Sequence, residues 1–131
     1  MKVLALDYGA VRTGVAVSDP TGSLARPVGV IERAATKAGL ARLAQLVESE
    51  RAERVVVGLP LTMAGKRGEQ ARETERFVAV LRSTVDVPVE TFDERFTTDL
   101  AQQAPASAPE DARAAAHLLT SYLAWHSDRS R

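Results

Sequence analysis

Apolar and polar positions alternate at the start of the chain. In "KVLALD", residues 2–7, Val3, Ala5 and Asp7 share one face of an extended strand and Leu4 and Leu6 the other. "YGAVR" reads as a turn, and "TGVAVSD" as a second strand antiparallel to the first. "LARPVGVIER" makes a third, with Pro27 suited to an edge or a bulge because it lacks a ladder N–H. The period then lengthens. Leu40, Leu43, Leu46 and Val47 follow helical spacing within residues 36–50, and Thr36 is placed to cap that helix. "RVVVGLP" is a continuous apolar run, the pattern of a parallel strand buried on both faces. Residues 71–83 return to helical spacing through Thr74, Phe77, Val78 and Leu81, and "VPVETF" is a fifth strand. A short helix is expected over residues 98–103. A last helix starts near Pro109 and aligns Ala112, Ala115, Ala116, Leu119 and Leu123. Three leading strands followed by alternating helices and strands predict an α/β domain. A meander is extended by βαβ units into a mixed five-stranded sheet with helices on both faces.

Length and composition narrow the class. The 131 residues fit a single domain, residues 1–131, with chain enough for a real core. The absence of cysteine excludes disulfides and thiolate metal sites. No apolar run approaches the ~20 residues of a membrane span, and an N-terminus with one lysine and an acid within seven residues is a poor signal peptide. The expectation is a soluble, cytoplasmic protein with no membrane partner. The formal net charge is zero, which argues against a uniformly basic, sequence-blind nucleic-acid binder. All but three of the 17 cations are arginine, however, the side chain best matched to phosphate.

In sheets of this kind, sites gather at the carboxyl ends of strands. Asp7 ends the first strand, Asp93 and Glu94 end the fifth, and Asp111 lies in the first turn of the last helix. Singly, each acid has an ordinary explanation. Asp7 can bond to turn N–H groups, Asp93 and Glu94 can pair with Arg95 or face solvent, and Asp111 can complement the helix dipole. Jointly they suggest more. Hard divalent cations such as Mg²⁺ and Mn²⁺ take oxygen ligands, several of them carboxylate. Two such ions about 3.5–4 Å apart can activate a water and stabilise the leaving oxygen of a phosphodiester. With only His117 and His126 available, zinc is not expected; His117, beside Leu118, reads as an ordinary helix residue.

Four stretches, "LALDYGAVRTGVAVSD", "VVVGLPLTMAGKRG", "DERFTT" and "DARAAAHLLTSYL", resemble the signature blocks of the YqgF family, also called RuvX, in order and in spacing, across residues 2–125. The resemblance implies an RNase H-like fold, dependence on Mn²⁺ or Mg²⁺, and two-metal-ion hydrolysis of nucleic-acid phosphodiesters. The implied role is 5′-end maturation of pre-16S rRNA in ribosomal precursor particles; the alternative is Holliday junction cleavage in branched DNA. Carried over residue by residue, Asp7, Glu94 and Asp111 would be the catalytic metal ligands, with Asp93 the alternative to Glu94. Gly9 would keep the turn tight for an approaching phosphate. Arg12 would meet the same backbone, and Arg95 would orient a carboxylate or bind a phosphate. Lys66, Arg67 and Arg72 of "LTMAGKRGEQAR" would contact phosphate, or belong to a solvated loop among Glu69, Glu73 and Glu75. One departure stands out: relatives usually carry a longer Lys- and Arg-rich segment where this chain has "DLAQQAPASAPE", and fewer phosphate contacts weaken binding.

Two other classes fit less well. "LDYGAVRTGVAV" also resembles the phosphate-binding hairpin of actin-like ATPases, but that arrangement needs two lobes and this length holds one. A non-catalytic RNA- or ribosome-binding module agrees with zero net charge and the missing basic segment, and disagrees with the near-complete acid set. The sequence leaves RNA and branched DNA both open. No stacking platform stands out among Tyr8, Phe96, Tyr122 and Trp125, and the helix face around Trp125 leaves both a monomer and a homodimer possible.

Overall fold

The computed structural model describes residues 1–96 and 109–129. The helix expected over residues 98–103, and most of the Pro-rich segment before the last helix, lie outside these residues. The described elements are β1 (Val3–Asp7), β2 (Arg12–Ser18), β3 (Ala25–Glu32), α1 (Lys37–Ser49), β4 (Arg54–Leu59), α2 (Glu69–Thr84), β5 (Val89–Asp93), a single 3₁₀ turn (Glu94–Phe96) and α3 (Glu110–Arg129). The five strands form one sheet in the order β3-β2-β1-β4-β5. β1–β2 and β2–β3 are antiparallel, and β1–β4 and β4–β5 are parallel. This is the mixed sheet that the strand and helix order predicts.

Side-chain alternation along β1 sorts the core into two layers. Leu4 and Leu6 join Val15, Val17, Val55 and Val57 beneath α1 and α2, which contribute Leu43, Phe77, Val78 and Leu81. Val3 and Ala5 join Ala16, Val56 and Phe92 beneath α3, which contributes Ala115, Ala116, Leu119 and Tyr122. The small alanines of α3 let the helix lie close against the sheet. Pro27 sits on the edge strand β3, and the β2–β3 register shifts between Val15 and Ala16, so Pro27 is both at an edge and beside a bulge. Thr36 caps α1, its side chain accepting from the Gly39 N–H at 3.1 Å. α2 starts two residues before its apolar stripe, after Gly68, because Glu69 at a helix N-terminus complements the dipole. Tyr122 is buried and Trp125 is partly exposed against Phe92, ring centroids 5.6 Å apart. Among the described residues, no helix is long and apolar enough to cross a membrane.

Candidate active site

Asp7 is the last residue of β1, and the alternation that buries Val3 and Ala5 turns it toward α3. Its neighbours in the sheet on that face have no side chains. Gly14 is its partner in the antiparallel ladder. On the parallel side Val57 pairs with Leu6, so Gly58 lies next to Asp7. The space is used. A Cβ on Gly14 would stand 1.8 Å from the Asp111 carbonyl oxygen, so the first turn of α3 rests directly on β2. A Cβ on Gly58 would stand 2.6 Å from Oε1 of Glu94, so the Glu94 side chain lies over β4. Two mid-strand glycines therefore bring Glu94 and the start of α3 over Asp7. An isolated Gly within a strand is a sequence signal for such an approach, and it is the signal that motif reading passed over.

The β1–β2 turn is closed by Gly9 and Thr13. Thr13 Oγ1 accepts from the Gly9 N–H at 3.4 Å and donates to its carbonyl at 3.3 Å. A Cβ on Gly9 would lie 2.5 Å from the Arg12 carbonyl oxygen, which is why the turn is this tight.

The two acids after β5 part company. Asp93 is taken by Arg95, which gives it a backbone N–H at 2.9 Å and a forked guanidinium with contacts from 2.6 to 3.1 Å. These contacts hold the Asp93 carboxyl below its ordinary range. The 3₁₀ turn then carries Glu94 back over the sheet, where its carboxyl donates a hydrogen bond to Asp7. Burial first, then the Asp7 charge, push Glu94 up to about 7. Burial also raises Asp7, the Glu94 hydrogen bond opposes that rise, and the Asp111 charge adds to it. Asp111 is thus within electrostatic reach, but its carboxylate is bonded to Arg12, Nε to Oδ2 3.4 Å. Among the described residues, no three acidic or histidine side chains converge closely enough to enclose an ion. The three acids expected at one point are a contacting pair and a third held nearby by an arginine.

The remaining candidates lie around this edge. Arg95, occupied by Asp93, also supports the loop after β4: a Cβ on Gly65, at φ 78°, would stand 3.1 Å from its Nη1. That loop exposes Lys66 and Arg67, with Arg67 Nε 3.0 Å from Glu75. Arg72 is exposed near the start of α2. Asp7 and Glu94 line a cavity of about 260 Å³ together with Ala114, His117 and Leu118 of α3. His117 was not a sequence candidate. Its Nε2 is buried with no hydrogen-bond partner among the described residues, a situation that costs stability and that buried polar groups rarely show.

The Glu94 carboxyl makes stability depend on pH. The folded chain keeps a proton that the unfolded chain releases near 4.5. Between that value and about 7 the folded state binds more protons, so stability falls as pH rises through this window and levels above it. Thermal melts in EDTA across this range are expected to show the fall, and Glu94→Gln to flatten it. Parallel curves for the two proteins would place Glu94 outside this environment.

The sheet order, the helix on the Asp7 face and acids at the carboxyl edge define an RNase H-like α/β protein. Thermus thermophilus RuvC, solved with a Holliday junction substrate, superposes with a TM-score of 0.69, covering 98% of this chain and 96% of that one at 17% identity. The fowlpox virus Holliday junction resolvase superposes with a TM-score of 0.55, covering 95% of this chain and 99% of that one at 12% identity. The chain belongs to the RuvX family, described as Holliday junction resolvase, whose sequence profile matches residues 1–125. A Chloroflexus aurantiacus protein named "Putative pre-16S rRNA nuclease" is 46% identical over 101 residues, 77% of this chain and 66% of that protein's length. A Syntrophomonas wolfei protein of the same name is 34% identical over 132 aligned positions, 94% of each chain.

Proposed function

We propose that the chain is a divalent-cation-dependent nuclease acting on pre-16S rRNA near its 5′ end, with Asp7, Glu94 and Asp111 as the cation-holding acids. The observation that carries this reading is the contact between Asp7 and Glu94, two half-buried carboxyls joined by a hydrogen bond at the carboxyl edge of the sheet. Membership of RuvX and the names of its relatives supply the substrate class. The donor set fits Mg²⁺ or Mn²⁺: it is carboxylate oxygen, and the hydrogen bond between the pair marks a place that a cation can take instead of the proton. Asp111 completes the set by leaving Arg12. An exposed ion pair is worth about 0–1 kcal/mol, so that exchange costs little. A bound cation supplies charge neutralisation at the phosphodiester and acidifies an attacking water. The chain's own residues do the rest. Gly14 and Gly58 hold the acids in register, and Arg95 fixes the loop that presents Lys66 and Arg67. Arg12, once released, faces the phosphate backbone.

Because the cation displaces a proton from the acid pair, Mn²⁺ is expected to raise the melting temperature more at about pH 8 than at about pH 6. Lys66→Ala is expected to weaken RNA binding at all sequences alike and to lower the slope of log K against log salt by about one. An unchanged slope would remove Lys66 from the interface.

Cleavage of a labelled RNA spanning a pre-16S 5′ end, beside a four-way DNA junction, in Mn²⁺, Mg²⁺ and EDTA, tests the function. The reading expects cation-dependent cutting of the RNA. Cutting of the junction alone makes the protein a resolvase, and cutting of neither by folded protein favours a binding module.

A further inference from the structure

Successive residues of a strand point to opposite faces, so Tyr8 leaves the sheet on the side away from Asp7. Its ring stacks on Phe77 of α2, centroids 4.3 Å apart at 15°. Tyr8 and Phe77 form the floor of a cavity of about 220 Å³, whose walls are Ala35, Glu73, Arg76 and Val80. Glu73, Arg76, Phe77 and Val80 are spaced i, i+3, i+4 and i+7 along α2, one stripe facing the turn after β1. Phe77 is buried in the core, whereas Tyr8 is only partly buried and Val80 is 47% exposed.

We propose that this cavity receives one nucleobase of the same strand whose phosphodiester lies at Asp7 and Glu94, stacked on Tyr8. The inference rests on the nuclease reading and extends it from the backbone of the substrate to its bases. Three observations carry it. Asp7 of the acid pair and Tyr8 of the aromatic floor are consecutive residues on opposite sides of one strand end, so a strand whose phosphodiester lies at the acids passes beside the floor. The floor is aromatic, and Ala35 and Val80 add apolar wall beside it, the surface on which unstacked bases settle without sequence preference. The rim offers one acceptor, Glu73, and one donor, Arg76, matching base edges that present both. Arg76 is available for this: its contact with Glu69, at 3.4 Å, joins two exposed side chains.

The test is a coupling measurement on single-stranded RNA oligonucleotides in Ca²⁺, a hard cation that carboxylates bind, each with one abasic nucleotide at a different distance from the cleaved bond. Binding is read by fluorescence anisotropy for wild type, Tyr8→Phe, Tyr8→Leu and Arg76→Ala. At one position next to the cleaved bond, removing the base is expected to weaken binding by wild type and Tyr8→Phe about 5- to 150-fold. The same removal should cost Tyr8→Leu little, because its stacking partner is already gone. Arg76→Ala changes an exposed helix position and is expected to show a smaller loss at the same nucleotide, which keeps the proposal testable should Tyr8→Leu not fold. Equal abasic penalties in wild type, Tyr8→Leu and Arg76→Ala overturn it. Cleavage by Asp7→Asn is scored separately: activity retained there rejects the acid site, whatever the abasic series shows.

Discussion

Asp7→Asn is expected to lower the cleavage rate by roughly 10³-fold while leaving the protein at least as stable as wild type near pH 8. The two effects share a cause. The Asp7 carboxylate is partly stripped of water, lies against Glu94, and feels the charge of Asp111. Burial and the Asp111 charge raise the free energy of the charged form, and the hydrogen bond from Glu94 offsets only part of this, so the folded chain carries an acid that the fold itself does not favour. Asparagine is nearly the same size, keeps an acceptor for the Glu94 carboxyl, and removes the repulsion. It also removes the charge that a cation needs. Melting curves and single-turnover cleavage of the two proteins read both effects together. A variant that loses stability and keeps activity would make Asp7 a structural turn residue.

The second large effect separates two glycines that flank Asp7. Gly14→Ala is expected to destabilise the fold by about 3 kcal/mol, the upper end of the usual cost of overpacking. The new methyl would stand 1.8 Å from the Asp111 carbonyl oxygen, 2.3 Å from its carbon and 3.0 Å from the Ala112 nitrogen. All of these are backbone, so α3 must lift from β2 along the layer of Ala115 and Ala116. Gly58→Ala meets only the Glu94 side chain, at 2.6 to 3.2 Å. That side chain can swing away, so folding is nearly unaffected, but the Asp7–Glu94 contact is broken. Urea denaturation and cleavage assays are therefore expected to diverge: Gly14→Ala loses both, and Gly58→Ala loses activity alone. Equal stability losses would mean that Glu94 is fixed in place and not a movable neighbour of Asp7.

Alternation along residues 3–7 was enough to assign both faces of β1, and with it the side on which Asp7 emerges. The unbroken run "VVVGL" was enough to place β4 inside a parallel sheet. The same patterns could not decide between Asp93 and Glu94. Pleat alone says only that neighbours diverge, and the outcome depends on the 3₁₀ turn in which Arg95 claims Asp93 and Glu94 folds back. The pairing of Arg12 with Asp111 was equally hidden, since it joins a turn to a helix through two exposed side chains. Tyr8 read as one of several scattered aromatics because its partner, Phe77, is far along the chain and comes beneath it only when α2 docks. His117 read as an ordinary helix residue, and only the packing of α3 brings it beside the acid pair. Gly14 and Gly58 were visible as interruptions of strands, but what approaches them is a property of the assembled layers.

The most direct test of the central claim, that these acids hold the cation of a nuclease, is anomalous diffraction from crystals soaked in Mn²⁺. The account predicts a peak between Asp7 and Glu94, with Asp111 turned from Arg12 toward it. No peak there, with Asp7 and Glu94 still bonded to each other and Asp111 still on Arg12, would contradict it.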